Sequence, residues 1–272
     1  MMNKNVLSIA GSDPSGGAGI QADLKTFTSL GVYGCAALTS LTVQNTSGVK
    51  EIINLDPAFI RSQIEAVLED IDISFIKTGM LGNSRGAMAA GESVRGYFLI
   101  CDPVLFSKSG LSLFDNDSMD VFENYIASES SIMTPNYDEL LILSRHEEDD
   151  PVRAGEKVMK KFDRLKAIVI KGGHINAGGP ISSDILLVRD GQSIKRYDFV
   201  HPRVMTENTH GTGCTFSSAL TAFLARGGDI INSVRKASDY VNKLIRFAAK
   251  YKIGKGNGPL PHFLLCPDRR KI

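Results

Sequence analysis

Short apolar runs alternating with helix-periodic stretches constrain this chain more than any other feature. The runs fall at 6–10, 37–43, 74–78, 98–102, 131–135 and 167–171. Between them, 58–70, 154–162 and 233–250 repeat their apolar residues at helical spacing. Such alternation predicts a mainly parallel sheet covered by helices, because parallel neighbours need a long crossover that a helix supplies. Near the end, 185–188 and 193–200 flank Arg189-Asp190-Gly191-Gln192, which predicts a hairpin turning on Asp190-Gly191. The 272 residues suit a single α/β domain spanning 1–272, with no linker and no repeat to divide it.

Composition narrows the function by exclusion. Lys plus Arg number 31 against 30 for Asp plus Glu, and a net charge of +1 argues against nucleic-acid or membrane partners. No apolar stretch approaches the roughly 18 residues that a membrane span needs. Cys35, Cys101, Cys214 and Cys266 form no CxxC pair, so no disulfide framework or zinc site is expected. A strand beginning at residue 6 leaves no room for a leader, and the expected location is the cytoplasm.

In open α/β sheets ligands sit beyond the carboxyl ends of the strands, so chemistry is sought in the loop after each run. Thr209-His210-Gly211-Thr212-Gly213-Cys214-Thr215 is the most telling of these, since Phe216, Ala219-Leu220 and Phe223-Leu224 place a helix from about Cys214 onward. The first N–H groups of a helix lack partners and carry the positive end of its dipole, which makes an anion site. Glycine lets that backbone come close to an anion, and the dipole is expected to lower the pKa of Cys214 below the ~8.5 of a free thiol. The same residues also suit a glycine-rich turn that opens an ordinary core helix.

The first strand leads into Gly11-Ser12-Asp13-Pro14-Ser15-Gly16-Gly17-Ala18-Gly19. Gly17-x-Gly19-x-x-Ala22 matches a dinucleotide fingerprint, but the acid that should follow for the ribose is missing, and no Walker A loop is present either. Gln44-Asn45 ends the second run. Gln offers both a donor and an acceptor to a ring, and the pair equally suits loop backbone groups. Met80 follows the third run and suits a core gap as well as a ligand. Asp102 and the Glu139 of Asn136-x-x-Glu139 are hard oxygen donors at strand ends, fit for Mg²⁺ alongside substrate phosphates. The Asn136–Glu139 spacing is also that of a helix cap. Lys171-Gly172-Gly173-His174 adds a cation suited to a polyphosphate, or only a solvated tip. As a set, these loops describe phosphoryl transfer, where positioning and charge neutralisation supply most of the catalysis.

The motifs resemble the hydroxymethylpyrimidine/phosphomethylpyrimidine kinases of the ribokinase-like superfamily. The resemblance rests on 6–25 (VLSIAGSDPSGGAGIQADLK), 37–48 (ALTSLTVQNTSG), 77–81 (KTGML), Asp102-Pro103-Val104, 134–140 (TPNYDEL), 171–174 (KGGH) and 208–215 (NTHGTGCT). It implies a ribokinase-like three-layer α/β/α sandwich with a mainly parallel central sheet, usually a homodimer. It further implies that ATP with Mg²⁺ phosphorylates 4-amino-5-hydroxymethyl-2-methylpyrimidine to its monophosphate and then to its diphosphate, in thiamine biosynthesis. By the same resemblance, Gln44, Asp23, Val43, Met80, Gly11 and Ala18 would meet the pyrimidine. Gly211, Thr212 and Gly213 would form the anion hole, with Cys214 as base. Lys171, Asn136 and Thr209 would bind the nucleotide, and Asp102 and Glu139 the Mg²⁺. The adenine site is placed only between about 188 and 243. Leu105-Phe106 is bulkier than the family pattern beside the substrate. Pyridoxal kinase is the nearest rival, sharing a hydroxymethyl group on a six-membered nitrogen ring. A catalytically dead vitamer-binding regulator is a third reading, against which Cys214, Asp102 and Glu139 are all retained.

Overall fold

In the computed structural model, which describes residues 5–105, 116–173 and 179–265, nine strands form one sheet in the order β3-β2-β1-β4-β5-β6-β7-β8-β9. They are β1 (Asn5–Ser12), β2 (Tyr33–Asn45), β3 (Gly48–Asn54), β4 (Ile73–Thr78), β5 (Phe98–Cys101), β6 (Ser130–Met133), β7 (Ala167–Ile170), β8 (Ile181–Asp190) and β9 (Ser193–Pro202). The centre, from β2 through β1, β4, β5 and β6 to β7, is parallel, and the outer pairs β2–β3, β7–β8 and β8–β9 are antiparallel. The helices are α1 (Gly19–Ser29), α2 (Pro57–Asp70), α3 (Ser84–Ser93), α4 (Asn116–Phe122), α5 (Tyr137–Leu143), α6 (Pro151–Lys161), α7 (Thr212–Ala225) and α8 (Ile230–Ala248).

Alternation along the strands sorts the core into layers. Leu99 and Cys101 of β5, with Ile168 and Ile170 of β7, face a cluster that holds Ile60, Ile64, Ala87, Ala90, Leu140 and Val158 from α2, α3, α5 and α6. The intervening Ile100, Ala167 and Val169 face Phe216, Leu220, Val241 and Leu244 from α7 and α8. Val6 and Phe27 join Ala222 and Ala225, which seats α1 beside α7. Helices thus cover both faces, as a parallel sheet requires. No described helix is long and apolar enough to cross a membrane.

Two local details differ from expectation. The hairpin loop is Gly191-Gln192, one residue later than expected, because Asp190 still pairs with Ser193 and the positive φ (59°) falls at Gly191. The second run extends to residue 45 and folds back on β3, where Ser47 N–H donates to Asn45 Oδ1 in the turn. Phe106 to Gly110 and His174 lie outside the described residues, whereas Leu105 is buried in the core.

Candidate active site

Asp13 gathers the loop after β1. Its Oδ1 accepts from Ser15 N–H (2.9 Å) and Ser15 Oγ (2.7 Å), and its Oδ2 accepts from Gly17 N–H (3.2 Å) and Ala18 N–H (2.9 Å). His210 Nε2 lies 2.7 Å from Asp13 Oδ2. Burial pulls this carboxyl upward, yet the bonds from His210 and Ser15 outweigh it and hold its pKa down to about 2. The Asp13–His210 pair therefore ties the first loop to the segment that precedes α7. Glycine is required where the two touch. Gly211 caps α7 at φ 80°, and a Cβ there would sit 1.8 Å from Gly17 O.

Gly211 and Thr212 open α7 without a side-chain cap among the described residues, so its first turn presents backbone N–H groups and the positive helix end. Thr209 O accepts from Thr212 N–H at 3.3 Å and shapes the approach. Cys214 stands half-buried in that turn. The lowered pKa expected for it is not found. Burial pushes the thiol up to about 11, and Asp23 and Asp102 add to this, while Lys77 and the Gly19 N–H pull the other way.

The ends of β5, β6 and β7 bring the charges together. Lys171 Nζ lies 2.7 Å from Asp102 Oδ1 and 3.9 Å from Glu139 Oε2. Asp102 is buried, and Thr134 Oγ1 and Ser217 Oγ donate to it at 3.3 Å each. A Cβ built on Gly213 would lie 3.3 Å from Lys171 Nζ and 3.6 Å from Asp102 Oδ2, so anion hole, cation and carboxylate share one cleft. Asn136 and Glu139 form a full capping box at the start of α5, with Asn136 N–H on Glu139 Oε2 (2.8 Å) and Glu139 N–H on Asn136 Oδ1 (2.9 Å). The cap and the cleft thus use the same carboxylate. Burial raises Glu139 to about 7 against the pull of Lys171, with Asp102 adding to the rise.

On the β2 side, Thr42 Oγ1 donates to Gln44 Oε1 (3.2 Å), and Gln44 Nε2 lies 3.3 Å from His210 Nε2. Gln44 therefore faces the same cleft as the Asp13–His210 pair. Met80 packs on Gly11, where a Cβ would come within 2.5 Å of its Cε, and Met80 O accepts from Gly11 N–H (3.0 Å). Ala18 is half-buried at the start of α1. Two of the expected substrate residues have distinctive surroundings. The Val43 side chain is 51% exposed, on the strand face away from Thr42 and Gln44. Asp23 is fully enclosed, with both oxygens taken by Ser8, Lys77 and Ser218. Asp13, His210 and Lys77 had not been singled out from the sequence. Lys77 did leave a trace, as a charged residue within an otherwise uncharged run.

The pattern of the family described as phosphomethylpyrimidine kinase matches residues 13–261. The chain is 37% identical to the Escherichia coli hydroxymethylpyrimidine/phosphomethylpyrimidine kinase, over 97% of this chain and 98% of that protein. It is 40% identical to the Geobacter sulfurreducens thiamine biosynthesis bifunctional protein ThiED over 98% of its own length, but spans only 54% of that larger protein. Among solved structures, the Staphylococcus aureus pyridoxal kinase in complex with AMP-PCP and pyridoxal superposes with a TM-score of 0.82 at 30% identity, covering 96% of this chain and 94% of that one.

Proposed function

Since the chain belongs to the phosphomethylpyrimidine kinase family and has its ribokinase-like fold, we propose that it phosphorylates 4-amino-5-hydroxymethyl-2-methylpyrimidine with ATP and then phosphorylates the monophosphate. One observation carries this reading. Gly213 at the open helix end meets Lys171 and Asp102, which lie 2.7 Å apart, and Gln44 reaches His210 in the segment that leads into the same helix.

In the first transfer the hydroxymethyl oxygen forms a bond to the γ-phosphorus as the bond to the β–γ bridging oxygen breaks, and ADP leaves. The N–H groups of residues 211–214 face the charge on the moving phosphoryl group. Lys171, paired with Asp102, is placed to turn to the nucleotide phosphates. Cys214 takes the proton of the alcohol. Gln44 and Met80 orient the ring. Asn136 and Thr209 border the nucleotide side. Asp102 and Glu139 fit Mg²⁺ as two hard oxygen donors at neighbouring strand ends, both within reach of Lys171. An ion held by these two carboxylates would neutralise phosphate charge.

We also propose a homodimer through β2 and β3, where Leu41 and Ile53 pair directly and are 43% and 57% exposed. A cytoplasmic location fits this metabolic role. Pyridoxal as a further substrate is favoured by one observation, the full-length overlap with a pyridoxal-bound kinase.

ADP release with each alcohol tests the assignment. The pyrimidine should give the higher kcat/KM, and Gln44→Ala should raise its KM while leaving that for ATP in place. An unpaired buried ring group costs on the order of 1–3 kcal/mol. Preference for pyridoxal, or a Gln44→Ala effect on ATP alone, would overturn the pyrimidine reading.

A further inference from the structure

The loop after β7 carries Lys171, and a carboxylate that the mechanism above leaves unused fixes its path. In the β7–β8 ladder Ile170 pairs with Ile185, so Asp184 of β8 stands opposite Lys171, one step beyond. Asp184 Oδ1 accepts from Gly172 N–H at 2.9 Å, and Oδ2 accepts from Ser238 Oγ of α8 at 2.5 Å. His201 Nε2 of β9 lies 3.0 Å from the same hydroxyl. On the other side, Lys171 N–H donates to Pro135 O at 2.9 Å, which ties the loop to the approach to α5. A Cβ on Gly172 would sit 2.0 Å from Ser183 O, so only glycine lets the loop lie this close to β8.

The fold alone gives little reason for a charge here. Strand β8 is already held by ladders to β7 and β9, and α8 by the apolar packing of Val234, Val241 and Leu244. Position gives a reason. A carboxylate that accepts a backbone N–H makes a charge-assisted bond, stronger than a neutral one. The peptide is planar, so fixing the Gly172 N–H sets the orientation of the whole peptide that joins it to Lys171. The Lys171 side chain leaves from the Cα at the other end of that peptide. Its Nζ then stands 2.7 Å from Asp102 Oδ1 and beside Gly213, at the open end of α7. Misplacing such a group by about 1 Å can cost on the order of 10²-fold in rate.

We propose that Asp184 is a positioning residue for nucleotide binding: held by Ser238, it fixes the Gly172 N–H and so aims Lys171 at the phosphates of ATP. The proposal rests on the reading of Lys171 as the cation that meets those phosphates.

Calorimetric titration with ATP and Mg²⁺, without a second substrate, reads nucleotide affinity in the absence of turnover. Asp184→Ala should weaken it about tenfold and raise the KM for ATP alike, with the KM for the pyrimidine in place. Asp184→Asn keeps an acceptor for the Gly172 N–H and should recover most of the loss. On a Lys171→Ala background Asp184→Ala should weaken binding little further, because both changes act through one side chain. Wild-type ATP affinity in Asp184→Ala, a matching rise in both KM values, an Asn variant no better than Ala, or full additivity with Lys171→Ala overturns the proposal. Should Asp184→Ala fail to fold, Ser238→Ala removes only the tether to α8 and should still raise the KM for ATP roughly threefold; an unchanged KM there overturns it. Unchanged ATP affinity in Lys171→Ala alone would instead remove the reading of Lys171, and the proposal with it.

Discussion

Burial pushes the Cys214 thiol up to about 11, well above the range of a free thiol. The first transfer should therefore quicken as pH rises from 7 toward 9, because the acceptor form grows with it. The second transfer attacks through a phosphate oxygen, which is already anionic near pH 7 given a second pKa near ~6. Cys214→Ala should slow the first step by roughly 10²–10⁴-fold, the usual contribution of a general base, and leave much of the second. Single-turnover rates from the alcohol and from the monophosphate decide this, and equal losses would make Cys214 a shaper of the loop. At this scale legibility was uneven. The place of Gln44 at the end of β2 could be read because a strand end and an amide side chain are both local facts. The state of Cys214 and the enclosure of Asp23 could not, since both depend on partners such as Lys77 that lie far along the chain.

The start of α5 shows how an element serves two ends. Asn136-x-x-Glu139 read equally as a cap or a metal site, and the capping box is present while Glu139 also points toward Lys171. Glu139→Gln keeps an acceptor for the Asn136 N–H, so α5 should persist. The folded pKa of Glu139 is raised from 4.5 to about 7, so the stabilising contribution of its proton is complete below 4.5 and is lost as pH rises through 7. Metal-free melts from pH 5 to 8 should show the wild type losing stability relative to Glu139→Gln, and phosphoryl transfer should fall more than stability does. Parallel melting curves would mean that Glu139 is ionised throughout. The helix α7 was legible from its glycines and apolar spacing, with its start at Thr212 two residues before the expected one. The strand β3 was not, because an edge strand exposed to solvent along most of its length leaves no apolar run to find.

The whole molecule was the most legible level, because a parallel sheet buried on both faces writes continuous apolar runs, and those runs are β1 and β4 to β7. Leu41→Asp, placed opposite Ile53 on the exposed face of β2 and β3, should convert the dimer to monomers in light scattering. A monomeric wild type would remove that proposal without touching the cleft. The central claim is that one cleft, formed by the anion hole, Lys171 and the Asp102–Glu139 carboxylates, performs both transfers on a pyrimidine. ³¹P NMR of the protein with ATP, Mg²⁺ and 4-amino-5-hydroxymethyl-2-methylpyrimidine tests it most directly. The account predicts a monophosphate signal that rises and then falls as the diphosphate appears. ATP left intact, or a monophosphate that accumulates with no diphosphate, would contradict it.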